Sequence, residues 1–265
     1  MRVLALIFSL LFAACGAEIS KDTTNNVGQN RVVSTSLCGD SYVLSMMQAE
    51  DIAALSWQSG GGLSTAPNSF KNKPKAHDDV ETLLALDPTL VVFGPGEGAV
   101  AKPILGKRGI EIVNLTWGED FEVVITNQKQ LNDAAKPQKV PAYAGMMLDR
   151  QPSILYLSAS GGTAGPGTYV DAAIRAAGGT NIITTGGWHT PSIESLVSLE
   201  PDLIVTSFFK DGYASVNSAG LRNKVLQDKI KSIPQIDIPG KLWPCAGPGL
   251  YEATGIIKTA IEGLT

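Results

Sequence analysis

Two histidines, three cysteines and four tryptophans are the scarce residues of this 265-residue sequence, and their surroundings narrow what it could do. His189 follows Trp188 directly after Gly186-Gly187, and Trp243 precedes Pro244-Cys245-Ala246-Gly247, so both tryptophans sit in loops rich in Gly and Pro. A loop tryptophan either covers the edge of a core or offers a flat face for stacking on a bulky ligand. Trp57, at the end of an apolar run ahead of the long loop 58–76, and Tyr213, after another apolar run, are expected on the same face. His189 is a candidate metal or haem ligand, with an ordinary hydrogen-bonded loop histidine as the alternative. Haem, a cobalt corrinoid or an iron chelate would each suit an adjacent Trp and His.

Catalytic signatures are absent. The sequence holds no GxxxxGK[ST], GxSxG, HExxH or CxxC. Its glycine-rich loop 162–167 does not fit GxGxxG, and Pro166 removes one N–H that a phosphate cradle would use. That loop is either a turn with Thr168 capping the next helix or the lip of a cleft. An exported α/β enzyme using residues 165–168 would need a nucleophile with a base beside it, and neither histidine supplies one. The expectation is binding without chemistry. A net charge of −4 and no clustered Lys or Arg argue against nucleic acid as the partner.

Arg2 precedes an apolar stretch from Val3 to Ala14, broken only by Ser9, and then come the small residues Cys15, Gly16 and Ala17. This is the layout of an export signal, 1–17, too short to span a bilayer comfortably. Phe12-Ala13-Ala14-Cys15 also resembles a lipoprotein box, in which case the signal is 1–14 and Cys15 carries lipid. Residues 18–30 follow as a polar tether. Either route leaves Cys38 and Cys245 as the remaining thiols in an oxidising compartment, where they form a disulfide or stay as two buried small hydrophobes.

The elements that must carry these residues follow an α/β pattern. With 44% hydrophobic and 17% charged residues, the chain is long enough for two modest domains. Strands are expected at 31–35, 52–57, 90–93 and 111–115, with helices near 38–49, 80–86 and 99–107. The second half restarts with strands at 153–157, 203–206 and 236–238 and helices near 169–177, 193–199 and 249–262. Residues 80–92 align with 193–205, repeating Glu, two Leu, Pro and the strand Leu and Val in register, which points to an internal duplication. Glu81 and Glu194 hold the same place in the two copies, where a carboxylate in the first helical turn complements the dipole or serves a partner. Between the copies, 120–151 is polar and helical in character, with Pro137 and Pro141 ahead of a helix at 142–150. The expected architecture is therefore two Rossmann-like α/β lobes with mostly parallel sheets, 31–128 and 153–265, joined by a single inter-lobe helix at 129–152.

Taken together, Arg31-Val32-Val33-Ser34 leading to Asp40, the paired Glu-x-x-Leu…Pro-x-Leu segments, Gly167-Thr168-Tyr169-Val170 through Asn181-Ile182, and Trp243-Pro244-Cys245 resemble the periplasmic substrate-binding proteins of ABC importers for cobalamin, haem and ferric siderophores. The resemblance implies a monomer that captures a metal-chelate nutrient in the periplasm, free or lipid-anchored, and delivers it to an inner-membrane permease. It implies a ligand cleft drawing on Trp57, Tyr169, Trp188, His189, Tyr213 and Trp243, and docking of Glu81 and Glu194 into arginine pockets of the permease. It also implies a Cys38–Cys245 disulfide and no resident metal, because the zinc and manganese receptors of the superfamily need several histidines.

Overall fold

In this computed structural model the described residues are 30–137, 139–142, 151–208 and 223–264. The first half runs β1 (Val32–Ser34), α1 (Leu37–Met46), β2 (Ile52–Ser56), β3 (Lys75–Ala76), α2 (Val80–Ala85), β4 (Leu90–Phe93), α3 (Ala101–Lys107) and β5 (Glu111–Asn114). Its five strands form one sheet in the order β3-β2-β1-β4-β5, and every pairing is parallel. Then comes α4 (Phe121–Ala135). The second half runs β6 (Ser153–Ser158), β7 (Thr163–Ala164), α5 (Tyr169–Ala176), β8 (Thr180–Asn181), β9 (Trp188–His189), α6 (Ile193–Ser198), β10 (Leu203–Ser207), α7 (Lys224–Lys231), β11 (Gln235–Ile238) and α8 (Gly249–Glu262). Four of its strands make a parallel sheet, β11-β10-β6-β8, while β7 and β9 form an antiparallel ribbon.

Both sheets are buried on two faces, which is why their strands read as continuous apolar runs. In β1 and β4, Val32, Leu90 and Val92 face a central core, whereas Val33, Val91 and Phe93 face an outer one with Leu83 and Leu105. The second lobe repeats this division. Ile154, Tyr156, Leu203 and Val205 join the same central core, and Leu155, Leu157 and Ile204 pack outward against Leu196 and Leu226.

Helix starts are fixed by side-chain caps that take up otherwise unpaired N–H groups. Ser36, Asp79, Asp120, Thr168 and Ser192 each accept from the N–H three residues on, opening α1, α2, α4, α5 and α6. At the other end of α4, Lys136 takes a left-handed conformation, φ 47°, and the helix stops. Of the expected connecting stretch 129–152, residues 129–135 are the end of α4; residues 143–150, most of the helix expected at 142–150, lie outside the described residues.

The aligned segments 80–92 and 193–205 occupy equivalent places, α2 into β4 and α6 into β10. The order β2-β1-β4-β5 in one sheet matches β8-β6-β10-β11 in the other. One apolar cluster runs through both lobes, so they meet over a shared core instead of standing free on a linker. Phe121 of α4 stacks on Tyr251 of α8 at 5.5 Å between centroids, and the Tyr251 hydroxyl donates to Gln128 Oε1 at 2.9 Å. Cys38 in α1 and Cys245 ahead of α8 form a disulfide with their Cα atoms 5.4 Å apart.

Candidate functional site

In parallel α/β sheets, ligands bind outside the carboxyl ends of the strands, where the chain leaves each strand for a loop. Here those loops carry the scarce residues. After β2 comes Trp57, 58% exposed and stacked on His77, which itself follows β3, at 5.8 Å between ring centroids. After β4, Glu97 turns back to accept from Thr35 Oγ1 at 2.6 Å and from Gly94 N at 2.9 Å, closing that loop on itself. After β5, residues 116–119 project Trp117, 59% exposed.

The second lobe supplies a denser surface. The β7–β9 ribbon, with Thr163 paired to His189 and Ala164 to Trp188, lifts Trp188 and His189 over the end of β6. The ribbon's approach depends on Gly165, where an added Cβ would lie 1.8 Å from the Thr185 carbonyl oxygen. Trp188 lies against Tyr169 at 4.9 Å between centroids and edge-on to Tyr156 at 6.3 Å. Beneath them Trp243, 1% exposed, stacks with Tyr169 at 6.0 Å. These aromatic faces, backed by a buried indole, form a wall with little freedom to rearrange.

A cavity of about 480 Å³ opens against this wall. Tyr156, Tyr169, Trp188 and His189 line it together with Ser158, Ser160, Thr163 and Thr190, and Leu63 reaches it from the first lobe. Thus it lies between the lobes. Among the described residues, no Lys, Arg, Asp or Glu lines it. His189 Nδ1 is buried without a hydrogen-bond partner among the described residues. Burial pushes the Tyr156 and Tyr169 hydroxyls well above the ordinary phenol range, with a contribution from the Glu119 carboxylate at Tyr169, so both stay neutral donors. Among the described residues no three of His, Cys, Asp and Glu gather to hold a metal. The surface is built for stacking and neutral hydrogen bonding.

Solved structures share this arrangement of two α/β lobes. The periplasmic haem-binding protein BhuT, in complex with two haems, superimposes with a TM-score of 0.61 over 89% of this chain and 99% of its own, at 18% identity. The fold is that of the periplasmic haem- and vitamin B12-binding proteins. The vitamin B12-binding protein BtuF of Vibrio cholerae aligns at 0.57 over 89% of this chain and 97% of its own, at 15% identity. A periplasmic haem-binding protein from Pseudomonas aeruginosa aligns at 0.57 over 87% and 92%, at 19% identity. By sequence, a cobalamin-binding protein of Halobacterium salinarum is 29% identical over 160 residues, 53% of this chain and 43% of that protein. The chain therefore matches less than half the length of that relative. No family model matches it.

Of the residues singled out in the sequence, the fold brings Tyr169, Trp188 and His189 together at the cavity, and places Trp243 under the wall instead of on it. Its indole N–H donates to Ser207 Oγ at 2.9 Å. Trp57 stands on the first lobe with His77 and does not line the cavity. Glu81 and Glu194 are exposed in the first turns of α2 and α6, and the Glu194 carboxyl is held below the usual range by its own N–H and by Ser192. Cys15, the stretch 1–29 and Tyr213 lie outside the described residues. Sequence reasoning passed over Tyr156, Trp117 and Glu119. Tyr156 reads as one more core position of an apolar strand; Trp117, in a glycine-containing loop after a strand, carries the same signal that drew attention to Trp57.

Proposed function

We propose that this chain is the substrate-binding component of an ABC importer that captures a metal-chelate nutrient, a cobalamin-type corrinoid or a ferric siderophore, and presents it to a permease. The observation that carries the reading is the aromatic wall between two lobes, uncharged among the described residues, where a bulky chelate would be held by stacking and neutral hydrogen bonds. The named relatives, which bind cobalamin, vitamin B12 or haem, support it. Haem is the second reading, supported by the haem-binding proteins among the structures of similar fold.

In this reading the protein is a monomer without enzymatic activity, and its metal arrives inside the ligand. Residues 1–17 direct export, or 1–14 with lipid on Cys15, and 18–30 form a tether in the periplasm. The lobes are 31–128 and 153–265, linked through 129–152. Glu81 and Glu194 engage the permease from equivalent places on the two lobes. Among the described residues no helix is long and apolar enough to cross a membrane. Because the lobes share a core and a disulfide, affinity comes mainly from a preformed cleft with modest closure.

The test is titration of the purified protein with cyanocobalamin, haem and ferric siderophores, followed by absorbance and calorimetry. Saturable one-to-one binding of one of them at about micromolar affinity or tighter is expected. Failure of all three, together with a hydrolytic or transfer activity, overturns the reading.

A further inference from the structure

Tyr169 is the first residue of α5, and its backbone N–H is one of the donors a helix start leaves unpaired. The cap residue Thr168 serves Asp171 N at 3.2 Å and leaves Tyr169 N to another acceptor. That acceptor comes from the other lobe: Tyr169 N donates to Glu119 Oε2 at 3.2 Å, fifty residues away in sequence. A carboxylate at this position meets both a charge-assisted hydrogen bond and the positive end of the helix.

Glu119 is held ready for this contact. Asn127 of α4 accepts from Thr116 N at 2.8 Å and donates to Thr116 O at 3.0 Å, pinning one end of the loop. Asp120 caps α4 through Val123 N at 3.1 Å, pinning the other. Between them Gly118 lies so close to Val123 that an added Cβ would fall 2.6 Å from it. Asn127 also donates to the Tyr42 hydroxyl at 3.2 Å, which ties the loop to α1.

We propose that Glu119 is a positioning residue for the ligand wall: reaching across from the first lobe, it fixes the backbone of Tyr169 and so the Tyr169–Trp188 surface that faces the cavity. The role in binding rests on the cleft's being the ligand site. The role in ordering the wall does not.

Glu119→Ala removes the acceptor, and Glu119→Gln keeps a carbonyl oxygen in its place. In the alanine variant, hydrogen exchange at the Tyr169 amide is expected to speed up by about tenfold or more, the usual scale for a lost charge-assisted bond. The near-ultraviolet circular dichroism of the Tyr169–Trp188 pair should weaken, and the affinity for whichever of cyanocobalamin, haem or a ferric siderophore the wild type binds should fall by about tenfold through faster release. The glutamine variant should stay within about threefold of wild type in all of these. Unchanged exchange and dichroism in the alanine variant overturn the proposal, as does equal impairment of both variants. Altered exchange with wild-type affinity overturns the role in binding. If the wild type binds none of the three ligands, the proposed function fails, while exchange and dichroism still decide whether Glu119 orders the wall.

Discussion

Trp243 donates its indole N–H to Ser207 Oγ at the end of β10 and carries the ring of Tyr169 on its face. A residue from the loop before the last helix thereby sets the height of a wall built by α5 and the β7–β9 ribbon. Trp188, 46% exposed on the same cluster, lies on the cavity side. The two tryptophans should respond oppositely to truncation. Trp243→Ala is expected to cost about 3–5 kcal/mol of stability, the range for emptying a buried aromatic site. Trp188→Ala should change stability by less than about 1 kcal/mol yet weaken ligand binding by tenfold or more, about 1.4 kcal/mol or above. Denaturant unfolding paired with ligand titration separates them, and a Trp188→Ala protein with wild-type affinity would remove this wall from the binding site.

The disulfide closes a loop with a sequence separation of 207 and joins α1 of one lobe to the approach of α8 in the other. Replacing both Cys38 and Cys245 with alanine should lower stability by about 2–5 kcal/mol, because the unfolded chain is released from a long cross-link. Non-reducing peptide mapping should recover the Cys38–Cys245 peptide, and recovery of two free thiols would remove the bridge.

Glu81 and Glu194 are exposed in the first turns of α2 and α6, so their replacement removes no buried side chain. The double variant Glu81→Ala, Glu194→Ala should bind ligand as the wild type does and fail to support uptake in cells that carry the matching permease. Normal uptake by that variant would count against the assignment.

Burial raises the hydroxyl pKa of Tyr42, Tyr156 and Tyr169 above the ordinary 10.0. From about pH 10 upward the folded chain therefore holds protons that the unfolded chain has lost. Their contribution to stability is complete below that pH and declines as the pH rises toward the folded values. Denaturant midpoints should fall above about pH 10, and phenolate absorbance for these three tyrosines should appear together with unfolding instead of before it. Early, non-cooperative ionisation of all six tyrosines of the chain would contradict their burial.

Much of this was legible in one dimension. The strand at 90–93 and the helix at 249–262 were read with the bounds the structure has, because unbroken apolar residues and helical spacing survive any tertiary context. The repeat of 80–92 in 193–205 announced two equivalent halves, and the fold places both copies in equivalent strand order. β3, β7, β8 and β9 were not legible: each is two residues long, too short for a period, and exists only because a partner strand lies beside it. The helix α7 was also passed over, although Asn223 caps it and Leu226 anchors it.

The sequence by itself determined which residues were available for chemistry, that their pattern was α/β in two copies, and that no catalytic signature accompanied them. Tertiary structure decided which of those residues meet. Trp188 and Trp243 look alike as loop tryptophans, yet one faces a cavity and the other is sealed beneath it, because burial depends on what α5 and β10 bring from elsewhere in the chain. Glu119 gave no signal at all. Its partner is a backbone N–H in the other lobe, and a contact between distant segments leaves no trace in local spacing.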